Sequence, residues 1–261
     1  MLRTARFLAA LIVAAACAST APPPLRLLVY NIHAGRDAAG VDNLERVASL
    51  IRESAADIVL LQEVDRHTAR SGNVDQLAVL MRRTGMHGAF GKSLDYQGGD
   101  YGIATLSRWP IGRQEIVPLR TEPPQPRAGG SVEPRIAFLT VIESPYGPLT
   151  VFNTHFDASR EETYRLQETE ALLTRIRAVE PLLVGGDFNA EPRSRVHARL
   201  VGAGLRDAWL ECGRGDGRTF SAATPVKRID YLFLRGGATC TTARVLRTEA
   251  SDHLPLVVTI E

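Results

Sequence analysis

The chain has almost no net charge to spare: 31 lysines and arginines stand against 29 acids in 261 residues. Loss of an N-terminal segment carrying Arg3 and Arg6 would leave the two counts equal. Proteins that grip long nucleic acids need a basic excess to neutralise phosphates. Nucleic acid is therefore a possible partner that net charge does not favour, and basic residues cluster only locally, as at Arg82-Arg83. Cysteine is scarce as well. Apart from Cys17 there are only Cys212 and Cys240, which could pair in an oxidising compartment or stand as isolated buried thiols. Long apolar runs are missing: Phe7 to Ala16 is continuously apolar, well short of the roughly 20 residues that a membrane helix needs. No Gly-x-Gly-x-x-Gly follows the first strand candidate, so a plain dinucleotide-binding arrangement fits poorly. Internal repeats and low-complexity tracts are absent.

Residues 1–17 read as a signal peptide. Two arginines and no acid precede the apolar run, and Ala14-Ala15-Ala16-Cys17 supplies small residues for cleavage. Cys17 after small residues resembles a bacterial lipobox, with Ala14 where Leu is usual; ordinary cleavage nearby is the alternative. Either way the protein is expected to be exported, to the periplasm or as a cell-envelope lipoprotein, or secreted. Any membrane association would run through the N-terminal lipid. Residues 18–24 form a Pro-rich tether, and residues 25–261 a single domain, expected to be monomeric.

Within that domain apolar strands alternate with amphipathic helices. Strands are expected at 25–32, 57–62, 101–107, 111–118, 135–142, 149–153, 182–188, 229–234, 241–246 and 254–260. Helices are expected at 41–52, 74–83, 161–179 and 195–201, the first with Asp42 and Glu45 at capping-box spacing. Hairpin-like successions near 101–118 and 135–153 imply antiparallel pairing. Two packed sheets covered by helices account for this order. The Pro/Gly-rich segment Thr121 to Pro134 is a long loop inside the domain.

The stretch Leu182-Leu183-Val184-Gly185-Gly186-Asp187-Phe188-Asn189 organises the rest. It reads as a strand buried on both faces that delivers polar groups to a sheet edge, and the glycines clear space where something approaches the backbone. Other polar residues also stand at strand ends: Asn31, Glu63, Asn153, His155, Asp230, Asp252 and His253. Each has a bland explanation as a cap, turn or ion pair. Taken together they point to one constellation.

These residues lie in blocks that resemble the endonuclease/exonuclease/phosphatase superfamily, which includes DNase I-like nucleases. The blocks are Tyr30-Asn31-Ile32-His33, Leu61-Gln62-Glu63-Val64, Gly102 to Arg108, Asn153-Thr154-His155-Phe156, Gly186-Asp187-Phe188-Asn189-Ala190, Arg228-Ile229-Asp230-Tyr231 and Ser251-Asp252-His253-Leu254-Pro255. The resemblance implies a four-layer α/β sandwich: two packed, mainly antiparallel but mixed β-sheets flanked by helices. It also implies metal-dependent hydrolysis of a phosphate ester, at the end of the two sheets.

A hard cation, Mg²⁺ or Mn²⁺, would take oxygen ligands from Glu63, assisted by Asn31 and Asp252. Asp187 serves as general base or water orienter, and Asn189 fixes water or phosphate. His253, oriented by Asp230, bonds a phosphoryl oxygen, though the base role could pass from Asp187 to the His253–Asp230 pair. His155 donates to another phosphate oxygen or serves the leaving group, and Asn153 joins Asn189 and His155 in binding substrate. The sequence departs from the abasic-site endonucleases at His33, where they carry a carboxylate; it reads as a packed loop residue or a phosphate donor. Tyr101 and Arg135 fall outside the catalytic set.

Overall fold

Alternate residues of the first strand, β1 (Leu25–Asn31), face different cores, and this period of two sets the layers. Leu28 and Tyr30 pack with Val47, Ala48 and Ile51 of helix α1 (Leu44–Ser54), while Leu27 and Val29 pack with Val151, Leu183 and Leu232 of a second sheet. Both sets are almost fully excluded from water. Each such side chain contributes about 1.5–3 kcal/mol of hydrophobic stabilisation. These relations come from a computed structural model that describes residues 23–125 and 133–261. The expected signal peptide, Cys17 and most of the tether, with the centre of the Thr121–Pro134 loop, lie outside the described residues.

After α1 come β2 (Ile58–Arg66), α2 (Gln76–Thr84), β3 (His87–Tyr96), β4 (Gly99–Ser107), β5 (Ile111–Leu119), β6 (Arg135–Ser144) and β7 (Gly147–His155). Then follow α3 (Thr163–Ile176), β8 (Leu182–Asp187), α4 (Arg195–Gly202), β9 (Arg206–Asp207), α5 (Ala208–Cys212), β10 (Asp230–Arg235), β11 (Cys240–Val245) and β12 (Leu256–Ile260). They form two six-stranded sheets, ordered β11-β12-β1-β2-β4-β3 and β5-β6-β7-β8-β10-β9. Pairing is parallel for β1 with β2 and β7 with β8, and antiparallel elsewhere. Helices α1 and α2 cover the first sheet; α3 and α4 cover the second through Leu172, Ile176, Val196 and Leu200. The expected four-layer mixed sandwich is therefore the observed fold. No described helix is long and apolar enough to cross a membrane.

Three expectations about local structure change. The capping box at Asp42 and Glu45 does not form: α1 begins at Leu44, and Asp42 instead accepts from the Leu44 backbone N–H at 3.2 Å. Helix α2 begins at Gln76, capped by Asp75 on Ala78 N–H at 2.9 Å. Strand β3 has no counterpart in the sequence reading, because Gly88 and Gly91 interrupt its apolar pattern. Gly91 is the tighter of the two: a Cβ there would come within 2.7 Å of the Phe138 ring root, whereas one on Gly88 would meet the movable Met81 sulfur at 2.7 Å.

Cys212 and Cys240 form a disulfide with Cα atoms 5.7 Å apart, an ordinary span. It ties α5, which follows the second sheet, to β11 of the first. Closing a loop of this length restricts the unfolded chain by about 3–4 kcal/mol in the chain-entropy account.

The two glycines of the organising strand have different neighbours. A Cβ on Gly185 would stand 2.6 Å from Leu60 and 3.1 Å from Val29 of the opposing sheet, so Gly185 lets the sheets converge beside the strand ends. At Gly186, φ is +152° and a Cβ would lie 2.0 Å from the Thr154 carbonyl oxygen. Backbone cannot yield as a side chain can. Gly186→Ala should therefore lower the unfolding free energy by about 3 kcal/mol or more, whereas Gly202→Ala, with nothing within 4 Å, should be neutral or stabilising by up to about 1 kcal/mol. Urea denaturation of the two variants checks this, and equal midpoints would contradict it.

Candidate active site

Sheet register assembles the site. Asp187, the last residue of β8, lies opposite His155 of β7 on one side and Asp230 of β10 on the other. On β8, Leu183 and Gly185 face the opposing sheet, so Asp187, two residues on, faces it too. Asn31 ends β1 with the same parity. Its Nδ2 donates to Asp187 Oδ2 and to Glu63 Oε1, each at 3.1 Å. The Asn189 backbone N–H donates to Asp187 Oδ1 at 2.9 Å. Both oxygens of a buried carboxylate are thus held.

Glu63 reaches Asn31 through a break in the pattern. Leu61 of β2 packs under the helices, so Glu63 would point there also. A bulge between Leu61 and Val64 and a φ of 56° at Glu63 insert one extra residue, which turns the carboxylate into the cleft while Val64 returns to the core under the helices. Such backbone costs of order 1–3 kcal/mol for a non-glycine residue.

Asp252 and His253 arrive on the turn before β12. Ser251 Oγ donates to the Asn31 carbonyl oxygen at 2.8 Å. From the other side the Ala222 N–H donates to the Asp252 carbonyl oxygen, and the Leu254 N–H to the Thr219 carbonyl oxygen, both at 2.7 Å. His253 Nδ1 lies 3.0 Å from Asp230 Oδ2, and its Nε2 lies 3.6 Å from Asp187 Oδ2. His155 Nε2 stands at the same 3.6 Å from that oxygen. Around them opens a cleft of about 1170 Å³, lined among others by Glu63, Tyr101, Arg135, Asn189, Phe220 and Asp252.

The electrostatics separate the two histidines. Burial penalises charge on His155, and the cations of Arg135 and His253 add to the effect, so its pKa lies well below the ordinary value. Burial also works against charge on His253, but the carboxylates of Asp230 and Asp187 outweigh it and raise the pKa to about 10. Asp187 is raised to about 7, chiefly by burial and then by the charge of Asp230, against the opposing pull of His253 and the bonds from Asn189 and Asn31.

Asn153, expected among the substrate-binding residues, lies outside the cleft lining. It is fully buried, and its Nδ2 donates to the carbonyl oxygens of Leu61 at 3.0 Å and Ala104 at 2.9 Å, while its Oδ1 accepts from Gln62 Nε2 at 2.7 Å. It clamps the sheets together beneath the site. Asn189 lines the cleft with φ 47°, and its Nδ2 is engaged with the Phe156 carbonyl oxygen at 3.0 Å. His33 lies outside the cleft lining, with Nδ1 3.9 Å from Asp252 Oδ1. Arg135 contacts the site directly: its Nη1 lies 3.0 Å from His155 Nδ1. An arginine opening an apolar strand, where lone charges are rarely buried, was the signal for it in the sequence.

Two features suit a cation. Asp187, Asp230 and His253 bring ligand-type atoms within 4.8 Å of one another, a group in which the two carboxylates could take a metal ion and His253 could do so only after giving up its proton. Asp230 Oδ1 is buried with no hydrogen-bond partner, and an orphaned carboxylate oxygen calls for water or a cation.

The raised His253 pKa has a consequence for stability. In the unfolded chain the imidazole loses its proton near pH 6.5, in the fold near 10. The extra stability is therefore complete below pH 6.5 and is lost as pH rises through 10. In metal-free protein the unfolding free energy should fall across this window by about 5 kcal/mol at most, and His253→Gln should flatten the curve. A wild-type urea profile that is level from pH 6.5 to 10 would contradict the assignment.

Residues 28–253 match the model of the Endonuclease/Exonuclease/phosphatase family. The YbhP protein of Escherichia coli K12 is 27% identical over 246 residues, covering 88% of this chain and 94% of its own. Among solved structures, the endonuclease/exonuclease/phosphatase of Beutenbergia cavernae superposes with a TM-score of 0.73 at 23% identity, over 91% of this chain and 71% of that one. The mannosyl-6-phosphatase of Bacteroides thetaiotaomicron gives 0.73 at 18%, over 91% and 99%. The catalytic domain of human Nocturnin gives 0.69 at 23%, over 92% and 93%. The family match covers most of the described domain and runs through every strand end of the site, from Asn31 to His253: the chain belongs to the endonuclease/exonuclease/phosphatase family of phosphoester hydrolases.

Proposed function

We propose that the protein is an exported, divalent-metal-dependent phosphodiesterase or phosphatase that acts as a monomer on a lipid headgroup or another small phosphoester. The observation that carries this is Asp187, a buried carboxylate 3.6 Å from each of two imidazoles at the floor of an open cleft, where burial and the charge of Asp230 raise its pKa above the ordinary carboxylate range. A base with that pKa is matched to taking a proton from water near neutral pH. His253, held protonated by Asp230 and Asp187, cannot compete for that proton, so the base role falls to Asp187. Its imidazolium instead hydrogen-bonds a phosphoryl oxygen as negative charge accumulates there. Asn31 and Asn189 keep the Asp187 carboxylate turned toward the attacking water.

Glu63, with Asn31 and Asp252, would hold Mg²⁺ or Mn²⁺. Glu63 is suited to such a ligand role, since the bulge aims it into the cleft and Asn31 is its one hydrogen-bond donor among the described residues. When bound, the cation polarises the phosphoryl oxygens and offsets charge on the leaving oxygen. Export is supported by the Cys212–Cys240 disulfide, which suits an oxidising compartment, and by the N-terminal apolar run. The phosphatase among the structural relatives supports a small phosphoester.

A second reading, cleavage of nucleic acid, is favoured by one observation. The rim of the cleft carries exposed Arg160, Arg193 and Lys227 beside Glu191 and an Arg218–Asp216 ion pair, local cations that could meet a phosphate backbone.

A substrate panel decides between them. Purified protein with Mg²⁺ or Mn²⁺ should hydrolyse bis-p-nitrophenyl phosphate and at least one of sphingomyelin, inositol phosphates or sugar phosphates, and excess EDTA should abolish turnover. Asp187→Asn and His253→Ala should each lower kcat by about 10³-fold or more. Full activity in EDTA, or unchanged rates in both variants, would sink the proposal. Cleavage of DNA or RNA that weakens steeply with salt, with no action on the small esters, would select the second reading.

A further inference from the structure

Two imidazoles face the same carboxylate oxygen at the same distance, yet their other nitrogens meet opposite chemistry. His253 Nδ1 faces a carboxylate, whereas His155 Nδ1 faces the Arg135 guanidinium at 3.0 Å. A guanidinium carries only donors and stays charged at any accessible pH. The His155 Nδ1 must therefore be the acceptor, and the ring's one hydrogen must sit on Nε2.

We propose that Arg135 is a positioning residue that pins His155 as a neutral imidazole with its Nε2–H presented to the phosphate, making His155 a fixed hydrogen-bond donor and not a source of protons. Arg135 is itself held: it is buried at the start of β6 and lies 3.2 Å from Glu133 Oε1. At 3.6 Å, Asp187 is beyond hydrogen-bond range of the His155 Nε2–H, which leaves that donor for a substrate or water oxygen. The charge behind the ring polarises the Nε2–H bond, so a neutral group delivers part of a cation's pull to the phosphoryl oxygen. Protonating His155 would break the Arg135 bond and set two cations in contact within a buried site. The roles divide accordingly. His155 donates without changing its proton count, and a leaving group that needs a proton must find it elsewhere.

The consequence for catalysis rests on the hydrolase reading; the position of the hydrogen does not. In protein labelled with ¹⁵N-histidine at neutral pH, two-bond ¹H–¹⁵N correlation should show His155 with Nδ1 unprotonated and Nε2 protonated. A protonated Nδ1 on His155 overturns the proposal, whatever the enzyme hydrolyses. Arg135→Met should release His155 into mixed tautomers and lower kcat by about 10- to 100-fold with little change in KM, while Arg135→Lys, which keeps a charged donor, should recover most of the loss. His155→Gln, which can still present an N–H, should keep a substantial fraction of activity with an unshifted pH profile. Loss of activity in His155→Gln as complete as in Asp187→Asn, or an Arg135→Met protein with unaltered His155 shifts, would refute it. If no substrate is turned over, the hydrolase reading fails while the tautomer result still stands or falls on its own.

Discussion

The site depends on how β7, β8 and β10 pair. Because His155, Asp187 and Asp230 occupy one rung across three strands, a slip of one residue in either pairing would turn one of the three toward the helices. That register is enforced from behind. Phe152, Val184 and Phe233 fill the outer core, Val151, Leu183 and Leu232 the inner one, and Asn153 bonds to the facing sheet two rungs below. The hydrophobic pattern and the chemistry are specified by the same alternation, so a chain that packs correctly also aligns its polar groups.

What the rung brings together is costly. Asp187 and Asp230 are both buried, and two like charges taken out of water repel and lose hydration. The fold offsets this by inserting His253 between them as a cation and by donating to Asp187 from Asn31 and Asn189. A carboxylate that holds its proton more readily than an ordinary one is the result, which is also what accepting a proton from water requires. The destabilisation and the function have the same physical origin.

Much of this was legible in the sequence, because the strand ends are local. An apolar run followed by Gly185-Gly186-Asp187 announces a buried strand and its polar terminus without knowledge of its partners. Asn31, His155, Asp230 and His253 stand out in the same way. The failures are non-local. Asn153 has the residue type and position of a substrate ligand, but its partners come from Leu61, Gln62 and Ala104, far away in the chain. Strand β3 was hidden because its glycines answer to Met81 and Phe138, and Arg135 gains its meaning only once His155 is beside it. The Asp42 cap failed for a related reason: Asn43 Nδ2 is drawn to the Glu249 carbonyl oxygen at 3.1 Å, and the helix starts later than local spacing suggests.

The bulge at Glu63 carries one more implication. Chain length, and not composition, decides where this carboxylate looks. Removing either residue between Leu61 and Val64 would heal the bulge and leave Val64 and everything downstream in phase, whereas a chain of unchanged length without the bulge would point Glu63 beneath the helices and turn Val64 away from them. Relatives that align well in this strand but are one residue shorter would thus share the fold and offer the cleft a single residue between the two apolar ones, in unbulged backbone. In such a comparison a gap says more than a substitution.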